Sequence, residues 1–152
     1  MSYYIFSQRA ALGNLPERPV LVKSIVTGDL SRAIASYYGI ETVETLTGFK
    51  NICGKANEYE VTKAKTYLFG YEESIGFCYG TFVRDKDAVS ASMMIVEMAA
   101  YYKERGQTLL DVLETIYTTF GYYNERQIAL ELEGVEGQEC ICLLYTSPSP
   151  RD

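Results

Sequence analysis

The segment Gly70-Tyr71-Glu72-Glu73-Ser74-Ile75-Gly76 sets two adjacent carboxylates and a serine hydroxyl between glycines. A carboxylate has two acceptor oxygens that can hold neighbouring hydroxyls, and a serine both donates and accepts, so the set suits a polyol such as a sugar. A solvated acidic turn with Ser74 as a cap is the competing reading. Further along, Phe82-Val83-Arg84-Asp85-Lys86-Asp87 interleaves Arg84 and Lys86 with Asp85 and Asp87. That cluster could grip a phosphate or stage proton transfer beside a sugar hydroxyl; otherwise it is an exposed ion-paired turn in which Asp87 caps the next helix. Upstream, Leu46-Thr47-Gly48-Phe49-Lys50 offers a glycine for close backbone approach and a lysine to neutralise a phosphate. Lys23 lies within the apolar run VLVKSIV, where a charge is costly unless it faces a cleft or partner; the alternative is a side chain that snorkels from the sheet face.

Composition narrows what these groups can be for. Fourteen Lys and Arg against twenty Asp and Glu give a net charge of −6, which offers no electrostatic footprint for nucleic acid or an anionic membrane. Histidine is absent, which removes Ser-His-Asp and Cys-His catalysis and His-containing zinc sites. No apolar run approaches the roughly 20 residues needed to span a bilayer, and the polar start MSYYIFSQR lacks signal-peptide architecture, so a cytoplasmic location is expected. Cys53, Cys78, Cys140 and Cys142 then read as reduced thiols, and the Cys140/Cys142 pair lacks the companions a metal site needs.

The elements that must position these groups follow from periodicity. Residues 3–12 suit a short amphipathic helix stopped by Pro16 and Pro19. VLVKSIV, residues 20–26, reads as a buried strand, Asp29 as the cap of a helix closed by Gly39, and ETVETL as a second strand, together a parallel, right-handed βαβ unit. A short helix is expected from about Phe49 to Asn57 and a third strand over residues 66–73, followed by a glycine-punctuated loop. Residues 88–106 form a helix apolar around nearly its whole circumference, hence buried on more than one side. Thr108 and Asp111 open a helix with the stripe Leu109, Val112, Leu113, Ile116, Tyr117 and Phe120. QIALELEG alternates as a half-buried strand would, and the helix tyrosines Tyr37, Tyr38, Tyr101, Tyr102, Tyr122 and Tyr123 read as packing rather than as a base-stacking platform. The fold class is a layered α/β domain with a mixed, partly parallel sheet flanked by helices.

Taken together and in this order, VKSIVTGDL, ETLTGFK, GYEESIG and VRDKDAVSAS resemble the third domain of the α-D-phosphohexomutases, the phosphoglucomutase and phosphomannomutase family, over roughly residues 3–137. The resemblance is closest to the bacterial phosphoglucomutase branch. It implies a four-domain isomerase of carbohydrate metabolism, an intramolecular phosphotransferase that interconverts hexose 1-phosphate and 6-phosphate through a phosphoserine and a bisphosphorylated intermediate. Carried over by motif, Glu72 and Ser74 hold the sugar's 3- and 4-hydroxyls, and Thr47 and Gly48 line the sugar site. Lys86 contacts the substrate and assists proton transfer, and Lys23 stands near the distal phosphate.

The family's phosphoserine loop, its aspartate-rich Mg2+ loop and its principal phosphate-binding loop are not recognisable here. Magnesium would therefore be held outside this chain, with none in the chain itself. A lead-in helix and linker over residues 1–18, the sugar-binding domain over 19–123 and an exit toward a fourth domain over 124–139 are expected. Residues 140–152 are expected as a non-native or disordered tail, since LLYTSPSPRD abandons the preceding pattern. The expected partners are a hexose phosphate and the missing domains of the same polypeptide, with self-association through the faces those domains would cover. A stand-alone, non-catalytic sugar-phosphate binding module is the alternative.

Overall fold

Val20, Leu21 and Val22 are fully buried in the strand β1 (Pro19–Ser24), which forms the middle of the sheet together with its neighbour β3 (Thr66–Glu72). The protein is described by a computed structural model over residues 1–126 and 131–146. The sheet order is β2-β1-β3-β4, with β2 spanning Glu41–Thr45 and β4 spanning Gly76–Tyr79. β1 pairs in parallel with both β2 and β3, whereas β3 and β4 form an antiparallel hairpin, so the sheet is mixed as expected.

Alternation of the β1 side chains divides the core in two. Leu21 joins Leu68 and Phe69 beneath α1 (Ser2–Ala11), α2 (Leu30–Tyr37), α4 (Ala88–Lys103) and α5 (Leu109–Phe120). Val20 and Val22 face α3 (Phe49–Thr62), whose Phe49, Ile52, Cys53, Ala56 and Tyr59 cover the other side with Tyr67 and Cys78. Leu68 and Phe69 are consecutive yet lie in one cluster because the β1–β3 register shifts between Val20 and Leu21. The extra residue of that bulge realigns β3 with its partner. Each fully buried aliphatic side chain contributes on the order of 1.5–3 kcal/mol.

Several sequence expectations are revised. The loop expected after residue 73 contains β4, too short and too glycine-flanked to show a strand's alternation. α3 continues to Thr62, beyond Asn57, because Tyr59 keeps its stripe against the sheet. β1 stops at Ser24: Ile25 and Val26 are exposed in a turn closed by Thr27 N donating to Ser24 O (3.1 Å). Asp29 precedes α2, but its side chain accepts no capping bond. On α4, Ala91, Met94 and Tyr102 are buried while Val89, Met93 and Val96 are exposed, so this helix is covered on one side only. Residues 134–146 are helical (α6, Gly134–Thr146), where an exit segment and a tail were expected. Of the expected strand QIALELEG, residues 127–130 lie outside the described residues. Tyr4 packs edge-on against Tyr101 and Tyr102, as the packing reading of those helix tyrosines requires.

Lys23 does not snorkel. At 1% exposure its ammonium donates to Thr27 O (2.5 Å) and pairs with Asp29 (3.1 Å) and Glu44 (3.0 Å). Arg32 adds a second cation to the same two carboxylates. Lys23 first, then Arg32, holds both carboxyls below the usual carboxylate range. Because the unfolded chain binds more protons in that range, the stability they supply is present above their ordinary values of 3.8 and 4.5 and is lost as pH falls below them.

Lys23→Ala should therefore lower the unfolding free energy at pH 7 by about 2 kcal/mol and flatten the loss of stability below pH 4, measured by urea unfolding across pH. Gly70 gives a second prediction: a Cβ there would lie 2.4 Å from Tyr67 Oη and 2.6 Å from Ile52 Cγ2. Gly70→Ala should lower the urea midpoint by the equivalent of about 1–3 kcal/mol with an unchanged denaturant slope.

Candidate functional site

The carboxyl ends of parallel strands are where open α/β sheets present loops to ligands. Here the Leu46–Gly48 loop after β2 and the Glu73–Ile75 turn after β3 lie at that edge. Glu72 is 3% exposed, and its Oε1 accepts a hydrogen bond from the backbone N–H of Gly48. Gly48 precedes α3 with φ +112°, a conformation that glycine adopts without strain. This one bond ties the Thr47–Gly48 loop to the sugar-reading candidate on β3.

Lys86 approaches the same carboxylate from the loop before α4. Its Nζ lies 3.9 Å from Glu72 Oε2 and 5.6 Å from the centroid of the buried Phe49 ring. The close approach depends on Gly76, where a Cβ would lie 2.5 Å from Phe49 Cε2 and 2.8 Å from Lys86 Cε. Lys86 stays half exposed, so a buried acceptor and an accessible cation sit side by side. The pair can hold a hydroxyl at the carboxylate and an anion or a transferring proton at the ammonium.

The other charges of Arg84–Asp87 are directed away. Arg84 pairs with Glu60 on α3, Asp85 accepts from the N–H of Lys86 (2.7 Å), and Asp87 caps α4 by accepting from Val89 N (3.1 Å) and Ser90 N (3.2 Å). Lys86 is thus the residue of this cluster that meets Glu72. Lys50 does not join them: it borders an open groove of about 490 Å³ with Cys53, Gly54, Asn57, Arg84 and Asp85. Lys23 is likewise separate, its ammonium engaged by Thr27, Asp29 and Glu44.

Ser74 is exposed at the tip of the β3–β4 turn, followed by Ile75 in a left-handed conformation (φ +58°). Glu73 turns to a different neighbour from Glu72. Its Oε2 accepts from Thr27 Oγ1 (2.7 Å) and Ser24 Oγ (3.3 Å), and the Thr27 bond above all holds its carboxyl below the usual range. Sequence reasoning missed Ser24 and Thr27, although the end of β1 at Ser24 and the turn that follows put them at the same sheet edge. Cys53 and Cys78 are buried thiols 4.0 Å apart, and burial, then the neighbouring thiol, pushes Cys53 up to about 12. Among the described residues no group of three Cys, Asp or Glu side chains converges to hold a metal, and no helix is long and apolar enough to cross a membrane.

Comparison with known proteins gives the chain a family. Residues 1–120 match the model for the phosphoglucomutase/phosphomannomutase alpha/beta/alpha domain III. The chain is 37% identical over 128 residues to a phosphoglucomutase of Staphylococcus haemolyticus, covering 84% of this chain and 23% of that one. It is 36% identical over 141 residues to a phosphoglucomutase of Staphylococcus epidermidis, covering 91% and 25%. A solved structure described as a phosphomannomutase of Thermus thermophilus shares the fold at TM-score 0.56 and 20% identity, over 79% of this chain and 25% of that one. The chain thus spans about a quarter of the length of the curated relatives it matches. On the strength of the domain match and these identities, the chain belongs to the phosphoglucomutase/phosphomannomutase family, and residues 1–120 correspond to its domain III.

Proposed function

We propose that this domain reads the sugar ring of a hexose phosphate in an enzyme that interconverts the 1-phosphate and 6-phosphate. The observation that carries the reading is the position of Glu72: a buried carboxylate at the sheet's carboxyl edge, fixed by Gly48 and facing Lys86. One oxygen is engaged by the backbone, while the other lies toward an accessible ammonium, an arrangement suited to accept a hydroxyl with an anion or a proton donor beside it. Exposed Ser74 adds a hydroxyl that can donate or accept, and Thr47 and Gly48 line the approach. Lys86 is assigned to contact the substrate and to assist proton transfer at a sugar hydroxyl.

Phosphoryl transfer needs a positioned nucleophile and stabilisation of the transferring charge. In the proposed enzyme the phosphoserine and Mg2+ belong to parts of the polypeptide outside this chain, and no step is assigned to the metal here. A stand-alone binding module would use the same edge without turnover. In either case this chain should bind weakly, since affinity in a multidomain cleft draws on several walls.

The test is a titration of the 152-residue chain with glucose 1-phosphate and glucose 6-phosphate, followed by NMR. Shifts should concentrate at Thr47, Gly48, Glu72, Ser74 and Lys86. Glu72→Ala and Ser74→Ala should each weaken binding about tenfold, the scale of a hydrogen bond to a charged or well-placed polar group. The purified chain with magnesium and a hexose bisphosphate should show no mutase activity. Binding unchanged in both variants would refute the assignment, and measurable turnover would refute the division of labour.

A further inference from the structure

Glu72 and Glu73 are adjacent but have separate partners, as consecutive residues at a strand end must when their side chains leave on opposite sides. Glu72 is held by the loop after β2. Glu73 is held by the turn after β1 through two hydroxyls that are themselves buried, Ser24 at 0% and Thr27 at 4% exposure. Ser24 Oγ and Thr27 Oγ1 are 2.7 Å apart, and Thr27 Oγ1 also accepts from the backbone N–H of Glu73 (3.3 Å). The hydroxyl count is satisfied: the Thr27 proton goes to the Glu73 carboxylate, the Ser24 proton goes to Thr27 or to Glu73, and the Thr27 oxygen still accepts the amide.

The turn is rigid from its other side as well. Thr27 N donates to Ser24 O, and the Thr27 carbonyl takes the Lys23 ammonium. A buried, ion-paired lysine thus fixes the carbonyl of the residue whose hydroxyl grips Glu73 by both its amide and its carboxylate. Glu73 lies between Glu72 and Ser74, so holding its backbone sets the direction in which both are presented.

We propose that Ser24 and Thr27 are positioning residues, whose buried hydroxyls clamp Glu73 and so pre-set the Glu72–Ser74 loop for the sugar. This rests on the sugar-reading assignment above. A loop ordered before binding does not bear the entropy of ordering when ligand arrives, so the clamp adds affinity without touching ligand. The depressed Glu73 carboxyl, held down first by Thr27, is the expected signature of such a clamp.

Thr27→Val keeps the shape and removes the hydroxyl, Thr27→Ser keeps the hydroxyl, and Ser24→Ala is a milder second lesion. In the full chain without ligand, amide exchange at Glu73 and Ser74 and the Glu73 carboxyl titration are followed by NMR; glucose 6-phosphate is then titrated. Thr27→Val should speed Glu73 exchange about fivefold, move its carboxyl titration upward and weaken binding about fivefold, the scale of one lost net hydrogen bond. Thr27→Ser should restore all three to within about twofold, which loss of packing alone would not do. Exchange and titration unchanged in both Thr27→Val and Ser24→Ala would overturn the clamp. A loosened loop with unchanged binding, while Glu72→Ala and Ser74→Ala do weaken it, would overturn the positioning role. If Glu72→Ala and Ser74→Ala leave binding untouched, the sugar reading falls and takes the functional half of the proposal with it, while exchange still upholds or overturns the clamp.

Discussion

A lysine ammonium inside a sheet must be neutralised and hydrogen-bonded where it lies, because returning it to water would unpair the strand that carries it. Lys23 meets that constraint with groups from three places: the Thr27 carbonyl of the turn after β1, Asp29 at the start of α2, and Glu44 of β2. The turn cannot swing, α2 cannot start elsewhere, and β2 cannot slip by a residue without exposing a buried charge. The pairing Lys23↔Glu44 shows the last point directly, since a shift of one position would send Glu44 to the other face of the sheet. An apolar residue at position 23 could fill the space but could not specify this register.

From that anchor two branches reach the sheet's carboxyl edge. The turn after β1 runs through Thr27 and Ser24 to Glu73, and the strand β2 runs into the loop whose Gly48 amide holds Glu72. Both end on neighbouring residues where β3 gives way to its turn, so the acidic pair is gripped from two sides while the strand beneath it is fixed by its own ladder. Glycine is needed where these branches crowd. Gly48 takes a backbone angle that other residues resist, and Gly76 lets the Lys86 stem and the Phe49 ring pass close to the chain.

The βαβ unit and the capping box of α5 were legible in sequence because each rests on local periodicity or on residues three apart. β4 was not, because a four-residue strand between glycines carries too few alternations to read. α4 was misread for a related reason. Its composition is apolar all round, and nothing in the helix itself says which faces a neighbour will cover. Of the candidate site, Glu72, Ser74, Thr47, Gly48 and Lys86 were visible as motifs. The role of Lys23 was visible only as a question, because its partners at Thr27, Asp29 and Glu44 are set by chain reversal and strand pairing. Ser24 and Thr27 were silent in this role: small hydroxyl residues at a strand end and in the turn after it are common, and only the fold brings them to Glu73.

The distribution of charge around the edge also bears on what this domain contributes to the proposed enzyme. Asp29 and Glu44 are balanced by Lys23 and Arg32, Arg84 is balanced by Glu60, and Asp87 is spent on a helix cap. Glu73 is held by the Thr27 and Ser24 hydroxyls and Asp85 by the Lys86 amide, while Glu72 and Lys86 face each other 3.9 Å apart at this edge, one buried and one accessible. A pair of that kind can orient a hydroxyl and answer a negative group, but it provides neither a nucleophile nor a set of carboxylates to hold a divalent cation. The rigidity supplied by the buried lysine and the two hydroxyls suits the proposed reading of a small polyol, since a loop ordered before its ligand arrives has less ordering entropy to offset with few contacts.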